Sequence, residues 1–323
     1  MRKRKDPTKQ TAPWRPALKP VIGDYQQPRM ERQTLAGASW IARYANLVRL
    51  PHTVFALPFT LVGVVYASHG SPVTMRHVLL VVIAFTAARF AAMGFNRVID
   101  RELDDLNPRT RRREMPSGRL TVQQASAAVY LASAVFIAAA GALNRLCFIL
   151  SPVTLLWILA YSYTKRFTHW SHLWLGLSLG IAPAGGYLAV TGSWSDPWWT
   201  LPVLAFAVTM WVAGFDMFYA LQDESFDRRH GLKSAVVRLG KARSILVAKL
   251  FHRVTIAALI GFGIGAAWGM VYFLSVAAAT VILIWEHNLV RPDDLSRLNA
   301  AFFTMNGVMS IVVFAGALGD RLL

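Results

Sequence analysis

The chain has 323 residues, 55% of them hydrophobic, and a formal net charge of +17 from 34 Lys and Arg against 17 Asp and Glu. Its mean hydropathy of +0.40 exceeds what a soluble core requires, so the composition excludes an ordinary water-soluble domain and indicates a membrane protein. Nucleic acid is not needed to explain the charge, because a membrane arrangement accounts for where the basic residues lie.

The chain begins with a basic, polar segment that contains several prolines, which predicts a disordered arm over residues 1–40. About 45 residues precede the first apolar stretch, whereas a cleavable signal peptide is a short basic stub followed by an apolar run. No signal peptide is therefore expected, and the folded domain is expected over residues 41–323.

Beyond the arm, nine apolar stretches approach the length of about 20 residues that a helix needs to cross the hydrocarbon layer. They predict an all-α membrane protein with nine transmembrane helices. The predicted spans are 47–68, 77–97, 121–141, 146–164, 173–191, 199–222, 245–267, 270–287 and 299–318. The single cysteine, Cys147, lies among apolar neighbours in the fourth stretch and is predicted to pack there without any special chemistry.

Lys and Arg are distributed unevenly between the two sides of this arrangement. The side that carries the N-terminus receives most of them, while the opposite loops and the C-terminus contain only Arg76, Arg145 and Arg321. Because basic residues in short loops are retained in the cytoplasm, the N-terminus is predicted to be cytoplasmic. The same basic face would attract anionic lipid headgroups and diphosphates.

A first group of acidic residues follows the second predicted span. Asn96, Asp100 and Asp104 are spaced by four residues and form one stripe on a helix, whereas Glu102 and Asp105 lie off it. Acids one turn apart repel each other unless a cation neutralises them, and hard divalent ions prefer carboxylate oxygen. Arginines follow this stripe at positions 109, 111, 112 and 113.

A second group follows the sixth predicted span, on the same side of the membrane. Asp216, Tyr219, Asp223 and Asp227 are spaced by three or four residues and again form one stripe, with Glu224 off it. Magnesium keeps several waters and is completed by phosphate oxygens, while arginine binds phosphate directly. Two such stripes, each followed by basic residues, therefore predict a site for a magnesium-bound diphosphate.

Two longer motifs surround the stripes. The first is NRVIDRELDDLNPRT over residues 96–110, continuing as REMPSG over 113–118, and the second is DMFYALQDESFD over 216–227. In these motifs the chain resembles the UbiA-type intramembrane aromatic prenyltransferases, and the resemblance extends from about Arg43 to the end. It implies nine helices around a central cavity that is capped by short cytoplasmic helices in the 2–3 and 6–7 loops.

The resemblance also implies a reaction, in which a polyprenyl group moves from an allylic polyprenyl diphosphate to a ring carbon of an aromatic acid, with Mg²⁺ as cofactor. The expected metal ligands are Asp100, Asp104, Asp223 and Asp227. The expected catalytic residues are Asp216, Tyr219 and Lys165. The expected substrate-binding residues are Arg49, Asn96, Arg97, Arg109, Arg113, Arg228 and Lys233.

These residues divide by the substrate that each would contact. Asp216 or Tyr219, one to two turns deeper than the metal ligands, would activate the hydroxyl of the acceptor. Arg49 would bind the acceptor's carboxylate or, alternatively, serve only as a basic anchor at the membrane surface. The remaining basic residues, Lys165 included, would contact diphosphate oxygens.

The acceptor stays open between two aromatic acids. Glu114 stands where the ubiquinone-pathway members usually have Pro, and Gln222 and Phe226 are further departures from their pattern. These features resemble a branch labelled as 4-hydroxybenzoate polyprenyltransferases, some of whose members resemble enzymes of the futalosine route to menaquinone. The first expected acceptor is therefore 4-hydroxybenzoate, and the alternative is 1,4-dihydroxy-6-naphthoate.

Other classes of membrane protein agree less well with the sequence. A secondary transporter would place its acids near the membrane midplane, whereas here they gather at one face beside Arg-rich loops. A CDP-alcohol phosphotransferase would begin its motif with Asp-Gly-x-x-Ala-Arg, which neither cluster contains. The expected setting is a bacterial plasma membrane, with lipids as partners and no nucleic acid.

Overall fold

The computed structural model describes residues 39–49, 53–295, 297–298 and 300–323. Every regular element in these ranges is a helix, and none of the described residues forms a strand. The predicted N-terminal arm, 1–40, lies almost wholly outside the described residues, which begin at Ser39.

Eight of the described helices are long and apolar enough to cross a membrane, which confirms the all-helical membrane class. The long helices are α3 (Met75–Leu106), α4 (Val122–Leu143), α5 (Arg145–Phe167), α6 (Ser171–Thr191), α7 (Thr200–Ala220), α10 (Lys241–Gly265), α11 (Met270–Leu289) and α12 (Asn306–Leu322). The shorter helices are α1 (Trp40–Leu47), α2 (Thr53–Ala67), α8 (Glu224–Arg229) and α9 (Ala235–Leu239). A short 3₁₀ turn joins α7 to α8, and a π-helical turn precedes α12.

The first predicted span, 47–68, is not one continuous helix, so that prediction was wrong in its bounds. α1 ends at Leu47, and Arg49 has a φ of 50°, which lies outside the range of right-handed helices. α2 begins at Thr53 and has 15 residues, of which Ala56–Ala67 form a shorter apolar helix. The described residues thus contain eight helices that are long and apolar enough to span a membrane, and α2 is a further apolar helix that is shorter.

The second predicted span extends further than its apolar residues indicate. α3 begins after Thr74, whose side chain accepts a hydrogen bond from the backbone N–H of His77, and it continues to Leu106. Asp100 and Asp104 therefore lie on the last turns of a continuous helix. The predicted stripe has the helical backbone that it requires.

α7 is the most deeply buried of the long helices, because both α6 and α10 pack extensively against it. Gly176 and Gly180 of α6 lie directly against α7, since a Cβ atom at either position would overlap the backbone carbonyl oxygen of Thr209 or Ala205. Close contact of this kind is typical of small residues at four-residue spacing in membrane helices. The packing fixes α6 and α7 in register.

The two long connectors differ from each other. Residues 107–121 form consecutive turns and no helix, so the short helix expected in the 2–3 loop is not found there. Pro108 and Pro116 lack the backbone donor that a helix needs, and Gly118 has a φ of 73°. The second connector does carry short helices, α8 and α9.

Candidate active site

A cavity of about 620 Å³ lies between α3, α5, α6 and α7. Charged and polar side chains gather at one end of it, and the remaining wall is largely apolar, reaching Leu143 at the end of α4 and Trp194 beyond α6. The structure brings all but two of the predicted site residues to this cavity. Those that line it are Arg49, Asn96, Arg97, Asp100, Asp104, Arg109, Arg113, Lys165, Asp216, Tyr219, Asp223 and Asp227.

Asp104 of the first stripe is buried and held by arginine. Arg113 Nη1 donates to its Oδ1 at 2.6 Å, and Arg97 Nη1 lies 3.9 Å from its Oδ2. Thr110 also donates from Oγ1 to the backbone oxygen of Asp104 at 2.9 Å, which folds the start of the 107–121 connector back onto α3. The guanidinium groups offset the negative charge that would otherwise be buried alone.

Asp100, one turn earlier, is held in a similar way. Asn96 Nδ2 donates to Asp100 Oδ2 at 3.0 Å, as the four-residue spacing predicts, and Arg166 Nη2 of α5 donates to Oδ1 at 3.0 Å. Arg166 was not among the predicted site residues. No local spacing could identify it, because it is 66 positions away in the chain.

Asp223 of the second stripe forms a bidentate pair with Arg109 from the connector after α3. Arg109 Nε donates to Asp223 Oδ1 at 2.9 Å and Nη2 donates to Oδ2 at 2.6 Å, while Nη1 donates to the Tyr219 hydroxyl at 3.0 Å. Both charged side chains are at most a tenth exposed. This bidentate ion pair, the Arg109–Asp223 fork, joins the two motifs across the cavity.

Lys165, near the end of α5, lies among the acids of the second stripe. Its charge interacts with those of Asp227, Asp223 and Asp216, and its backbone oxygen accepts a hydrogen bond from Lys233 N at 2.8 Å. The carboxylates around this ammonium group would repel a further anion unless a bound cation neutralised them. The arrangement is therefore suited to a cation and an anion that bind together.

Two carboxylate oxygens at the polar end have no hydrogen-bond partner within the described residues, Asp104 Oδ2 and Asp227 Oδ2. A buried carboxylate oxygen without a donor is suited to a hard cation. No three acidic, His or Cys side chains in the described ranges converge closely enough to enclose a metal by themselves. The donor set thus fits a magnesium ion whose remaining ligands are water and phosphate oxygens.

Asp216 lies deeper along α7 and contacts a residue that the sequence analysis missed. Its Oδ2 is 2.7 Å from Nδ1 of His172, which is 1% exposed and belongs to the first turn of α6. A histidine inside an apolar span is a signal for function in its own right. In the sequence, His172 directly follows the Thr168-His169-Trp170 segment and lies just before the predicted span 173–191, so it reads as a loop residue.

Arg89 of α3 is a third residue without a predicted role, after Arg166 and His172. It lines the cavity two turns deeper than Asn96, and its Nη1 donates to the backbone oxygen of Val48 at 3.1 Å. An intramembrane arginine is rare enough to mark a functional site on its own. Together with Arg49 it makes the wall of the cavity nearest α1 basic.

Arg228 and Lys233 are the two predicted residues that do not line the cavity. Arg228 is exposed on α8 and donates to Glu224 Oε1 at 2.8 Å, one turn away, while Lys233 Nζ donates to the backbone oxygen of Phe167 at 3.3 Å. Neither contact involves an acid that lines the cavity. Cys147 is a free, half-buried thiol within α5 that borders the apolar wall of the cavity.

Comparison with proteins of similar sequence identifies the family of this chain. The profile of the UbiA prenyltransferase family matches residues 56–308. A 4-hydroxybenzoate octaprenyltransferase from Nitrosospira multiformis is 28% identical over 285 residues, covering 87% of this chain and 96% of the relative. A protein of the same name from Vibrio parahaemolyticus is 27% identical over 276 residues, covering 83% and 94%.

Solved structures of similar fold agree with this match. The apo structure of a UbiA homologue from Aeropyrum pernix K1 has a TM-score of 0.76 and 32% identity, covering 84% of this chain and 98% of that chain. A UbiA homologue from Archaeoglobus fulgidus, bound to DMAPP and Mg²⁺, has a TM-score of 0.66 and 18% identity, covering 87% and 99%. The chain is therefore an integral membrane protein that belongs to the UbiA prenyltransferase family.

Proposed function

We propose that this protein is a magnesium-dependent polyprenyltransferase that joins a polyprenyl chain to a ring carbon of an aromatic acid in quinone biosynthesis. The observation that carries the proposal is the cavity itself, in which both acidic stripes meet at a basic polar end that continues into a long apolar wall. The polar end suits a diphosphate and the apolar wall suits an isoprenoid chain. The names of the Nitrosospira and Vibrio relatives support 4-hydroxybenzoate as the acceptor.

The diphosphate would bind at the polar end. The proposed metal ligands are Asp100, Asp104, Asp223 and Asp227, with Asn96 as a further oxygen ligand. Bound Mg²⁺ would supply positive charge where negative charge develops on the departing diphosphate. The side chains proposed to contact diphosphate oxygens are Arg97, Arg109, Arg113 and Lys165, while Arg228 and Lys233 would reach it only if their connector moved toward the cavity.

The acceptor would bind deeper, beside Asp216 and Tyr219. Either side chain could take or hold the proton of the acceptor's hydroxyl, which makes the neighbouring ring carbon electron-rich. As the allylic carbon–oxygen bond breaks and diphosphate leaves, the new carbon–carbon bond forms at that ring carbon and the ring then loses its proton. Arg49 and Arg89, on the basic wall near α1, would orient the acceptor's carboxylate.

The family fold supports a fuller topology. We propose that α2 is the first of nine transmembrane helices and that residues 41–323 form one domain. This domain would lie in a bacterial plasma membrane, with the polar end of the cavity on the cytoplasmic side. Residues 107–121 with α8 and α9 would form the cytoplasmic cap. Closure of that cap over diphosphate would exclude water from the allylic cation.

The function is tested by incubating the purified protein with a radiolabelled polyprenyl diphosphate and Mg²⁺. 4-Hydroxybenzoate and 1,4-dihydroxy-6-naphthoate are offered separately, and prenylated aromatic product is separated and counted. The expected result is product with 4-hydroxybenzoate that disappears on chelation of Mg²⁺. Product with the naphthoate alone would reassign the acceptor, and no product with either would contradict the proposal.

A transporter remains the alternative from another class. It predicts uptake of a charged solute into proteoliposomes and no chemical change in that solute. The position of Asp223 argues against it, because this acid lies just beyond the end of α7 and pairs with Arg109, whereas a transporter would place its acids near the membrane midplane. Counting labelled donor and product in the same vesicles separates the two functions.

A further inference from the structure

A buried imidazole contacts the carboxylate that we place beside the acceptor. His172 Nδ1 is 2.7 Å from Asp216 Oδ2, and His172 Nε2 is buried without a hydrogen-bond partner within the described residues. An ionised carboxylate can only accept hydrogen bonds, so in that state Nδ1 carries the proton and donates it to Oδ2. The contact is then a charge-assisted hydrogen bond shielded from water.

The packing of α6 against α7 fixes this contact. The two helices run antiparallel, and Gly180 and then Gly176 of α6 lie against Ala205 and Thr209 of α7 without room for a Cβ atom. His172 lies one turn before Gly176, and Asp216 lies two turns beyond Thr209. The same register that brings the glycines to the carbonyls therefore brings the imidazole to the carboxylate.

We propose that His172 is a positioning residue, which fixes the Asp216 carboxylate by a hydrogen bond from Nδ1 and so aims it at the hydroxyl of the aromatic acceptor. With Oδ2 bound to the imidazole, the other oxygen of Asp216 is left for the acceptor in the cavity that Asp216 lines. His172 does not touch the substrate in this role. The inference rests on the proposed function, because it assigns Asp216 to the acceptor.

Burial makes the imidazole an effective support. His172 is 1% exposed, so water cannot replace its hydrogen bond to Asp216 when the cavity is filled or empty. At the diphosphate end, Asp104 and Asp223 are held by arginines, and His172 acts there only through the interaction of its charge with Asp227. Loss of His172 should thus impair the chemical step far more than it impairs binding of the prenyl donor.

The test compares two replacements of His172 in the full-length protein. His172→Leu removes the donor, whereas His172→Asn keeps an amide nitrogen near the position of Nδ1. Each is measured with saturating prenyl diphosphate, Mg²⁺ and acceptor, and binding of an unreactive thiolodiphosphate analogue of the donor is measured separately. A charge-assisted hydrogen bond predicts that Leu lowers kcat by about 10- to 100-fold while Asn retains most of it.

A double-mutant cycle with Asp216→Asn isolates the pair. If His172 acts through Asp216, adding His172→Leu to Asp216→Asn should lower kcat by less than about twofold more. Analogue binding should change by no more than about twofold in every variant. His172→Phe, which keeps a ring without the nitrogen, replaces the Leu variant if that one does not fold.

Several outcomes would overturn the inference. These are an unchanged kcat for His172→Leu, an Asn variant as slow as the Leu variant, or a loss that adds fully to that of Asp216→Asn. An inactive wild-type protein would instead reject the proposed function. Because wild-type activity is measured first, the two failures are distinguishable.

Discussion

At the scale of single residues, the fork between Arg109 and Asp223 is the contact that ties the two motifs together. Its two partners are both buried, so removal of either one leaves a charge in a place where water cannot solvate it. The carboxylate also has a second use in the proposed mechanism, as a magnesium ligand. A substitution at this position should therefore affect both the metal requirement and the rate.

Replacement Asp223→Asn should lower kcat by at least about 100-fold and raise the Mg²⁺ concentration needed for half-maximal activity, because a neutral amide binds a hard cation weakly. The measurement is product formation across a Mg²⁺ titration. Glu102→Gln is the matched control, since Glu102 is exposed and pairs with its neighbour Arg101. Equal activity of the two variants would remove Asp223 from the proposed ligand set.

Glu114 gives a prediction about pH. Burial raises the pKa of this carboxyl above its ordinary value of 4.5, although Arg119 lies 3.5 Å away. The folded protein thus binds this proton more tightly than the unfolded chain does, so the contribution of Glu114 to stability falls as pH rises from about 4.5 through the raised pKa and is constant above it. The thermal midpoint of Glu114→Gln should therefore decline less steeply with pH than that of the wild type.

The comparison is made by thermal unfolding in detergent between about pH 4 and pH 7. Glu102→Gln again serves as the control and should keep the wild-type slope. A Glu114→Gln protein whose midpoint declines as steeply as that of the wild type would show that the buried carboxyl is not the group responsible.

The residues that sequence analysis identified and those that it missed differ in one physical respect. Asp100 and Asp104 could be predicted because both lie on one helix, where a four-residue step is sufficient to place them together. Arg166 and His172 act on these stripes from another helix, at separations of 66 and 44 positions. Only tertiary packing, which has no short-range pattern, brings such partners into contact.

At the scale of helices, the close packing of α6 on α7 positions the deeper half of the site. Gly176→Ala should lower both the thermal midpoint and kcat, because its Cβ atom would overlap the backbone oxygen of Thr209 and push the helices apart. Gly185→Ala, on the same helix, meets nothing within 4 Å because Gly185 lines the cavity, so it is a control for stability and its thermal midpoint should be unchanged or slightly higher. Activity and unfolding of the two variants are measured side by side.

A Gly176→Ala protein that is as stable as Gly185→Ala and as active as the wild type would contradict the register on which the contact of His172 with Asp216 depends. The comparison is informative because both changes add the same methyl group and the same gain in helix propensity. Only the space available to the new atom differs.

Helix bounds could be predicted where apolar length alone decides them, as for α4 and α11. Hydropathy alone could not give the end of α3, because its last turns are polar, although the four-residue spacing of Asp100 and Asp104 does indicate a helix there. The break before α2 was also missed, since hydropathy does not register the positive φ at Arg49. Both errors arise where backbone geometry and buried charge outweigh the average hydrophobicity.

At the scale of the whole molecule, the distribution of basic residues predicts which side of the membrane each loop faces. In a Cys147→Ala background, Ser117→Cys should react with a membrane-impermeant maleimide only when the cytoplasmic side is accessible. Ser193→Cys, in the loop after α6, should react from the outside of intact cells. Both positions are exposed in the structure.

Labelling of both cysteines from the same side would contradict the arrangement of α4, α5 and α6 as three successive spans. Labelling with the two sides exchanged would keep the spans and reverse the orientation. The Cys147→Ala protein without a new cysteine gives the background.

The cavity joins a charged end to an apolar wall that reaches Leu143 and Trp194. A cavity of this kind releases its two products into different phases. Diphosphate would pass into water, whereas the prenylated ring, which is far more lipophilic than its precursor, would pass into the bilayer. The concentration that governs the rate is then the mole fraction of donor in the membrane and not its molarity in the suspension. Diluting the donor with inert phospholipid, at constant bulk amount, should slow the reaction as surface dilution.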